Sequence, residues 1–246
     1  MGGESEEPLI VDGKRVDGRK PDEHRPLKME VGVLERADGS ARVEMGKTKV
    51  LAAVYGPREL HPRHDTMPDK AVVRCRYDMM SFSVEERARP GRSRRSTEIT
   101  KVLSEALESV VYTGRFPGMA IDVFVEVYQA DASTRVVALN AASLALANAG
   151  IPMKDLVVAC SFGKVQGVVK GKTVEEIVVD LGKEEDNSGL ADVAMAILPN
   201  TKKIVLLQMD GNLSPDEFKQ GMKMGMKLCE TLYDEQKKAL KGGFEV

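Results

Sequence analysis

The sequence predicts an α+β fold of two similar halves, each running strands first and helices after. Three observations predict it. Residues such as Ile121, Val123, Val125 and Val127 alternate apolar with polar, the period of a half-buried strand. Ile99, Val102, Leu103, Ala106, Leu107, Val110 and Val111 follow the three–four spacing of a helix face. The order then repeats, with a second group of strands and another helix after Gly150. At 246 residues the chain can form one large domain or two small fused ones.

The elements follow in order. Residues 1–10 read as a flexible tail, and Lys14 to Arg25 as a charged segment broken by Gly18 and Pro21. Met29, Val31 and Val33, then Ala41, Val43 and Met45, alternate around an Ala37-Asp38-Gly39-Ser40 turn and predict a hairpin. Lys49 to Gly56 is a buried strand closed by Pro57, and Arg58 to Lys70 an exposed loop. Ala71 to Ser83 is a further strand. Val136 to Ala149 is apolar nearly all round, so it predicts a helix buried on every side and stopped by Gly150 and Pro152. The first half thus spans 11–152. The second, 153–246, packs with it as one unit, with strands at Leu156–Phe162, Val174–Val179, Asp192–Leu198 and Lys203–Met209. Ser214-Pro215-Asp216-Glu217 opens the last helix with a capping box, and Phe218, Met222, Met226, Cys229 and Leu232 form its stripe. Gly221 and Gly225 predict a close helix packing contact.

Composition excludes several classes. No apolar run approaches the roughly 20 residues of a membrane helix. Met1 to Glu7 is acidic and Gly-rich, unlike a secretory leader. Cys75, Cys160 and Cys229 have neither zinc-ligand nor redox-motif spacing, which predicts isolated reduced thiols and a cytoplasmic protein. A net charge of −2 advertises no nucleic-acid partner, so any basic surface is local.

Three constellations could carry chemistry. Arg92-Ser93-Arg94-Arg95 precedes the Ile99 helix, where cations oppose the helix dipole. A phosphate held by guanidinium forks and free N–H groups explains that placement; a solvated basic turn is the alternative. Asp131-Ala132-Ser133-Thr134-Arg135 leads into the Ala-rich helix. Ser133 or Thr134 can cap it, or the same groups can bind an anion with Arg135. Asp180 and Asp186 form the third. Two nearby carboxylates can keep one proton for acid catalysis or hold Mg²⁺ with water, and an acidic surface loop is the alternative. His61-Pro62-Arg63-His64 is basic and loop-borne, so it could touch nucleic-acid phosphates; a plain solvated loop is the alternative that its charge favours.

These segments resemble the ribonuclease PH family in order. The resemblance runs through Arg15-Val16-Asp17-Gly18-Arg19, Arg25-Pro26-Leu27, Ala37–Ala41 and Gly46–Val50. It continues through Gly91–Arg95, Gln129–Arg135 and Asp180…Asp186, with the active ring subunits of archaeal exosomes the nearest in pattern. It implies a ribonuclease PH-like fold, related to domain 2 of ribosomal protein S5. It implies a phosphate-dependent 3′-to-5′ exoribonuclease that releases nucleoside diphosphates and can run in reverse. The chain would alternate with a related inactive subunit in a hexameric ring, under RNA-binding cap subunits. Inorganic phosphate would be co-substrate and Mg²⁺ a further cofactor. Arg95, Ser133, Thr134 and Arg135 would hold phosphate. Arg94 and Arg92 would hold RNA, and His61 and Arg63 would line its channel. Asp180 would be the catalytic acid, and Asp186 would support it or share a metal with it. Ala132-Ser133 departs from the Gly pair of many members. A stand-alone ribonuclease PH trimming transfer RNA and a non-catalytic RNA-binding ring subunit remain the alternatives.

Overall fold

The computed structural model describes residues 8–11, 13–169 and 172–243. Two sheets sandwich one buried helix. The first sheet has the order β3-β4-β5-β7-β6. Its strands are β3 (Leu27–Val31), β4 (Gly39–Met45), β5 (Thr48–Glu59), β6 (Val72–Met79) and β7 (Met119–Gln129). All its pairs are antiparallel except β6 with β7. The second sheet contains β8 (Val158–Val169), β9 (Lys172–Val179), β10 (Ala191–Leu198) and β11 (Lys203–Gly211). The order is β11-β10-β8, with β9 on the other side of β8.

Helix α2 (Thr134–Asn148) lies between the sheets. It is buried on all sides, as its apolar circumference requires. Two of its polar residues staple it to the start of β8. Asn140 donates to Ala159 O (2.8 Å) and accepts from Ala159 N (2.9 Å), while Ser143 Oγ accepts from Val157 N (2.8 Å). Helix α1 (Arg94–Val110) covers β6 with the predicted stripe. Helix α4 (Pro215–Gly242) covers β8 and β9, capped by Ser214 and Glu217.

Four features depart from the sequence expectation. Leu9 and Ile10 are buried with Val165, Val178 and Leu181, so the tail cannot extend to residue 10; residues 1–7 lie outside the described residues. Two short strands, β1 (Ile10–Val11) and β2 (Lys14–Arg15), join the second sheet through a parallel pairing of β1 with β8. The start of the first half thus builds the second sheet. The buried line of α4 runs through Gly221 and Gly225, with Phe218, Met222 and Met226 only half-buried beside it. Cys160 and Cys229 are free but not isolated; their Sγ atoms touch at 3.5 Å inside the core. Among the described residues no helix is long and apolar enough to cross a membrane.

Candidate active site

A cleft of about 740 Å³ opens where the two sheets meet, lined in part by Arg95, Ser133, Thr134, Arg135, Asp186 and Asp192. Two helix starts form one wall. Ser93 caps α1: its Oγ accepts from Ser96 N (3.0 Å), and Ser96 Oγ accepts from Ser93 N (2.8 Å). The first turn then carries Arg94 and Arg95 with no acidic residue. Both are exposed, and Arg95 makes no ion pair with the described residues. Uncompensated cations at a positive helix end disfavour folding, so an anion is the natural complement.

The start of α2 is built differently. Ala132 (φ 62°) and Ser133 (φ 53°) are successive left-handed residues, a conformation that suits glycine and strains other side chains. Thr48 Oγ1 holds this turn through Asp131 O (2.8 Å) and Ala132 O (2.9 Å). The expected side-chain cap is not made. Ser133 Oγ turns to Ser161 Oγ (2.8 Å), and Thr134 Oγ1 accepts from Tyr77 (3.0 Å). The first N–H groups of α2 therefore lack a side-chain acceptor beside the cleft. Arg135 is aimed by Gln208, whose Nε2 in turn donates to Glu98 (2.6 Å). Gln208 has no sequence signal, being one polar residue in an edge strand.

The opposite wall corrects the expectation for Asp180. Its side chain is 1% exposed and does not line the cleft. Its Oδ2 accepts from Arg25 N (2.7 Å) and Nε (3.0 Å), and its Oδ1 from Arg25 Nη2 (2.7 Å). Burial alone would push its carboxyl up. The Arg25 guanidinium, by charge and hydrogen bonds, outweighs that and with Arg19 holds it below the usual carboxylate range. In this arrangement Arg25 holds the Asp180 carboxylate ionised, and the Asp180 side chain does not line the cleft.

Glu98, Glu185, Asp186, Asp192 and Asp210 bring carboxyls to the cleft, and Asp186 and Asp192 form a pair among them. Asp186 sits on the short helix α3 (Lys183–Ser188), which the sequence reading took for a loop, and Asp192 near the start of β10. The two carboxyls are close enough to act on one another. Burial first, then the charge and hydrogen bond of Asp186, push the Asp192 carboxyl up to about 6. Sequence reasoning passed over Asp192, although a carboxylate opening the apolar run Val193–Leu198 was the available signal. The expected Asp180–Asp186 metal pair does not fit, because both Asp180 oxygens are taken by Arg25. Among the described residues no three His, Cys, Asp or Glu side chains gather to hold a metal. Asp186 with Asp192 is the donor pair suited to a hydrated Mg²⁺, which takes one or two carboxylates and keeps its waters.

Arg92, Arg94, His61 and Arg63 lie outside the cleft lining. Arg92 borders a small separate depression with Arg76 and Asp78. Arg63 is exposed and paired with Glu59 (3.0 Å).

Sequence profiles described as "3′ exoribonuclease family, domain 1" and "domain 2" match residues 23–152 and 155–227. The chain belongs to the 3′ exoribonuclease family. It is similar to the "Exosome complex component Rrp41" of Methanopyrus kandleri, with 57% identity over 95% of this chain and 94% of that one. The protein of the same name from Thermococcus kodakarensis is 59% identical over 93% and 89%. Among solved structures, rice Rrp46 aligns with a TM-score of 0.79 at 27% identity, over 92% of this chain and 100% of that one. The two exoribonuclease-family parts meet at the cleft. Arg95 and Ser133–Arg135 come from the first, and Asp186 and Asp192 from the second.

Proposed function

We propose that this chain is the catalytic ring subunit of an archaeal exosome and shortens RNA from its 3′ end with inorganic phosphate. One observation carries the reading: two cationic helix starts face a carboxyl pair across a single cleft. Phosphate is held between Arg95, Arg135 and the N–H groups at Ser133–Arg135. Its oxygen attacks the phosphorus of the last nucleotide in line. The new P–O bond forms as the bond from that phosphorus to the preceding ribose 3′ oxygen breaks. Arginines near the transferring group stabilise the spreading negative charge. The Asp186–Asp192 pair gives its shared proton to the departing 3′ oxygen, the role first expected of Asp180. The products are a nucleoside diphosphate and an RNA one residue shorter, and excess diphosphate drives the reverse reaction. Asp186 and Asp192 would hold a hydrated Mg²⁺ in place of that proton, and the ion would then supply positive charge toward the phosphates.

The chain's relatives carry the name of an exosome component. That supports a ring in which it meets related ribonuclease PH-like subunits beneath RNA-binding caps. Arg92, Arg94, His61 and Arg63 stand outside the cleft as exposed or partly exposed groups suited to the RNA backbone.

The test uses the complex as it purifies, with end-labelled RNA, with and without phosphate. Release of nucleoside diphosphates only with phosphate is expected. Nucleoside monophosphates in phosphate-free buffer would mean hydrolysis and end the proposal. Asp186→Asn should abolish turnover while RNA still binds. Arg95→Ala should raise the phosphate concentration needed for half-maximal rate.

A further inference from the structure

The Arg135 guanidinium reaches the cleft already held, and the group that holds it is a neutral amide. Gln208 Oε1 accepts from Arg135 Nη1, and Gln208 Nε2 donates to Glu98 Oε1 (2.6 Å). Glu98 Oε1 stands 3.9 Å from the same Arg135 Nη1, beyond hydrogen-bond reach. The amide thus lies between a cation and an anion, its oxygen toward the guanidinium and its nitrogen toward the carboxylate. Three elements meet here. Arg135 comes from the first turn of α2, Glu98 from the second turn of α1, and Gln208 from β11, opposite Ala194 of β10. All three side chains line the cleft, which also collects the carboxyls of Glu185, Asp186, Asp192 and Asp210. A guanidinium among so many carboxylates is drawn into pairing with one of them. Gln208 occupies one of its donors and brings no net charge, so the remaining donors keep their full attraction for an anion.

We propose that Gln208 is a positioning residue that works as a neutral spacer: it aims Arg135 into the cleft and holds Glu98 off it, so that the guanidinium stays open to the attacking phosphate. The proposal rests on the phosphorolytic reading of the cleft. The chemistry of the side chain explains why an amide stands at position 208. Only an amide of this length presents an acceptor to Arg135 and a donor to Glu98 together. A carboxylate there would cancel the charge of Arg135. An apolar side chain would let Glu98 and Arg135 close into a direct pair, which phosphate would then have to break. Breaking an exposed pair of this kind weakens anion binding by up to about fivefold. Glu98 and phosphate compete for one group, so saturating phosphate displaces Glu98 and restores the rate. The spacer therefore acts on the phosphate concentration required and leaves the maximal rate alone.

Four variants test this in the purified complex: Gln208→Met, Gln208→Glu, Glu98→Gln, and Gln208→Met combined with Glu98→Gln. Met keeps the length of the side chain and removes both polar ends. Gln208→Met should raise KM for phosphate about fivefold, with kcat at saturating phosphate within about twofold of the parent. Gln208→Glu should raise that KM about tenfold, because it sets a charge against Arg135. Once Glu98 is gone the spacer has nothing to hold off. The double variant should therefore match the phosphate KM of Glu98→Gln alone to within about twofold. Titration of inorganic phosphate into the RNA-free complex should give the same ranking without turnover. A parental phosphate KM in Gln208→Met, or a fall in kcat with KM unchanged, would overturn the proposal. So would a double variant whose KM stays as high as that of Gln208→Met, since a purely structural loss is not rescued at Glu98. If Gln208→Met does not assemble, the isosteric Gln208→Glu decides, and a parental phosphate KM there refutes the spacer. A parent complex that releases no nucleoside diphosphate would sink the phosphorolytic reading instead, and the phosphate titration would still report on Gln208.

Discussion

Asp192 sits where function and stability pull in opposite directions. A carboxyl half-buried against Asp186 is suited to keeping a proton, but its ionised form is repelled by its neighbour. The sign of the pH effect follows. The folded value near 6 lies above the ordinary 3.8, so the folded chain holds the proton more tightly across that window. Stability therefore falls as pH rises from 3.8 toward 6, and the loss is complete above it. In phosphate-free buffer with chelator, Asp192→Asn should melt higher than the parent at about pH 8. The gap should close as pH falls below 3.8, where Asp192 is protonated in the folded and unfolded chains alike. A variant melting below the parent at the higher pH would contradict the repulsion. Asp180 has the opposite sign. Its pairing with Arg25 stabilises the fold above 3.8, and that contribution is lost as pH falls toward its lowered folded value.

At the scale of elements, α4 shows how close packing overrides helix propensity. Glycine inside a helix costs about 1 kcal/mol relative to alanine. Yet a Cβ at Gly221 would lie 2.4 Å from the Phe162 ring, and one at Gly225 2.8 Å from Met195 Sδ. Gly221→Ala should therefore destabilise, because overpacking a core costs about 1–3 kcal/mol and outweighs the propensity gain. Chemical denaturation reads this as a lower midpoint at unchanged slope; a higher midpoint would show that α4 can move away from β8. The sequence predicted close packing from the same two glycines, but placed the stripe on Met222 and Met226. Spacing identifies a face of a helix; which residues on it meet the sheet depends on the partner's shape.

The whole molecule is closed by its own beginning. Ile10 pairs beside Gly167 and is fully buried with Leu9, Val165, Val178 and Leu181. The strap then carries Arg15, Arg19 and Arg25 across the turn at Asp180 before the chain enters the first sheet. Emptying that small cluster should loosen the second sheet and the acid turn together. Ile10→Ala should cost about 2–5 kcal/mol, the usual range for a fully buried aliphatic. Thermal melts would read the loss, and an unchanged melting temperature would show that the strap is dispensable for folding.

Period and punctuation in the sequence determined most elements here: the α1 stripe, the all-apolar α2, the alternating β7 and the Ser214–Glu217 cap. Each is a local pattern, and local backbone preference with solvent on one side is enough to specify it. The sequence also marked Arg95 and Ser133–Arg135, since cations at a helix start violate a local rule. Which carboxylate faces the cleft was decided only in three dimensions. Asp180, Asp186 and Asp192 look alike in a row of acidic residues. Only the fold brings Arg25 from more than 150 residues away to bury one of them and leaves the other two facing the arginines. A charge is read by its surroundings, and those surroundings come from distant segments that no spacing along the chain encodes.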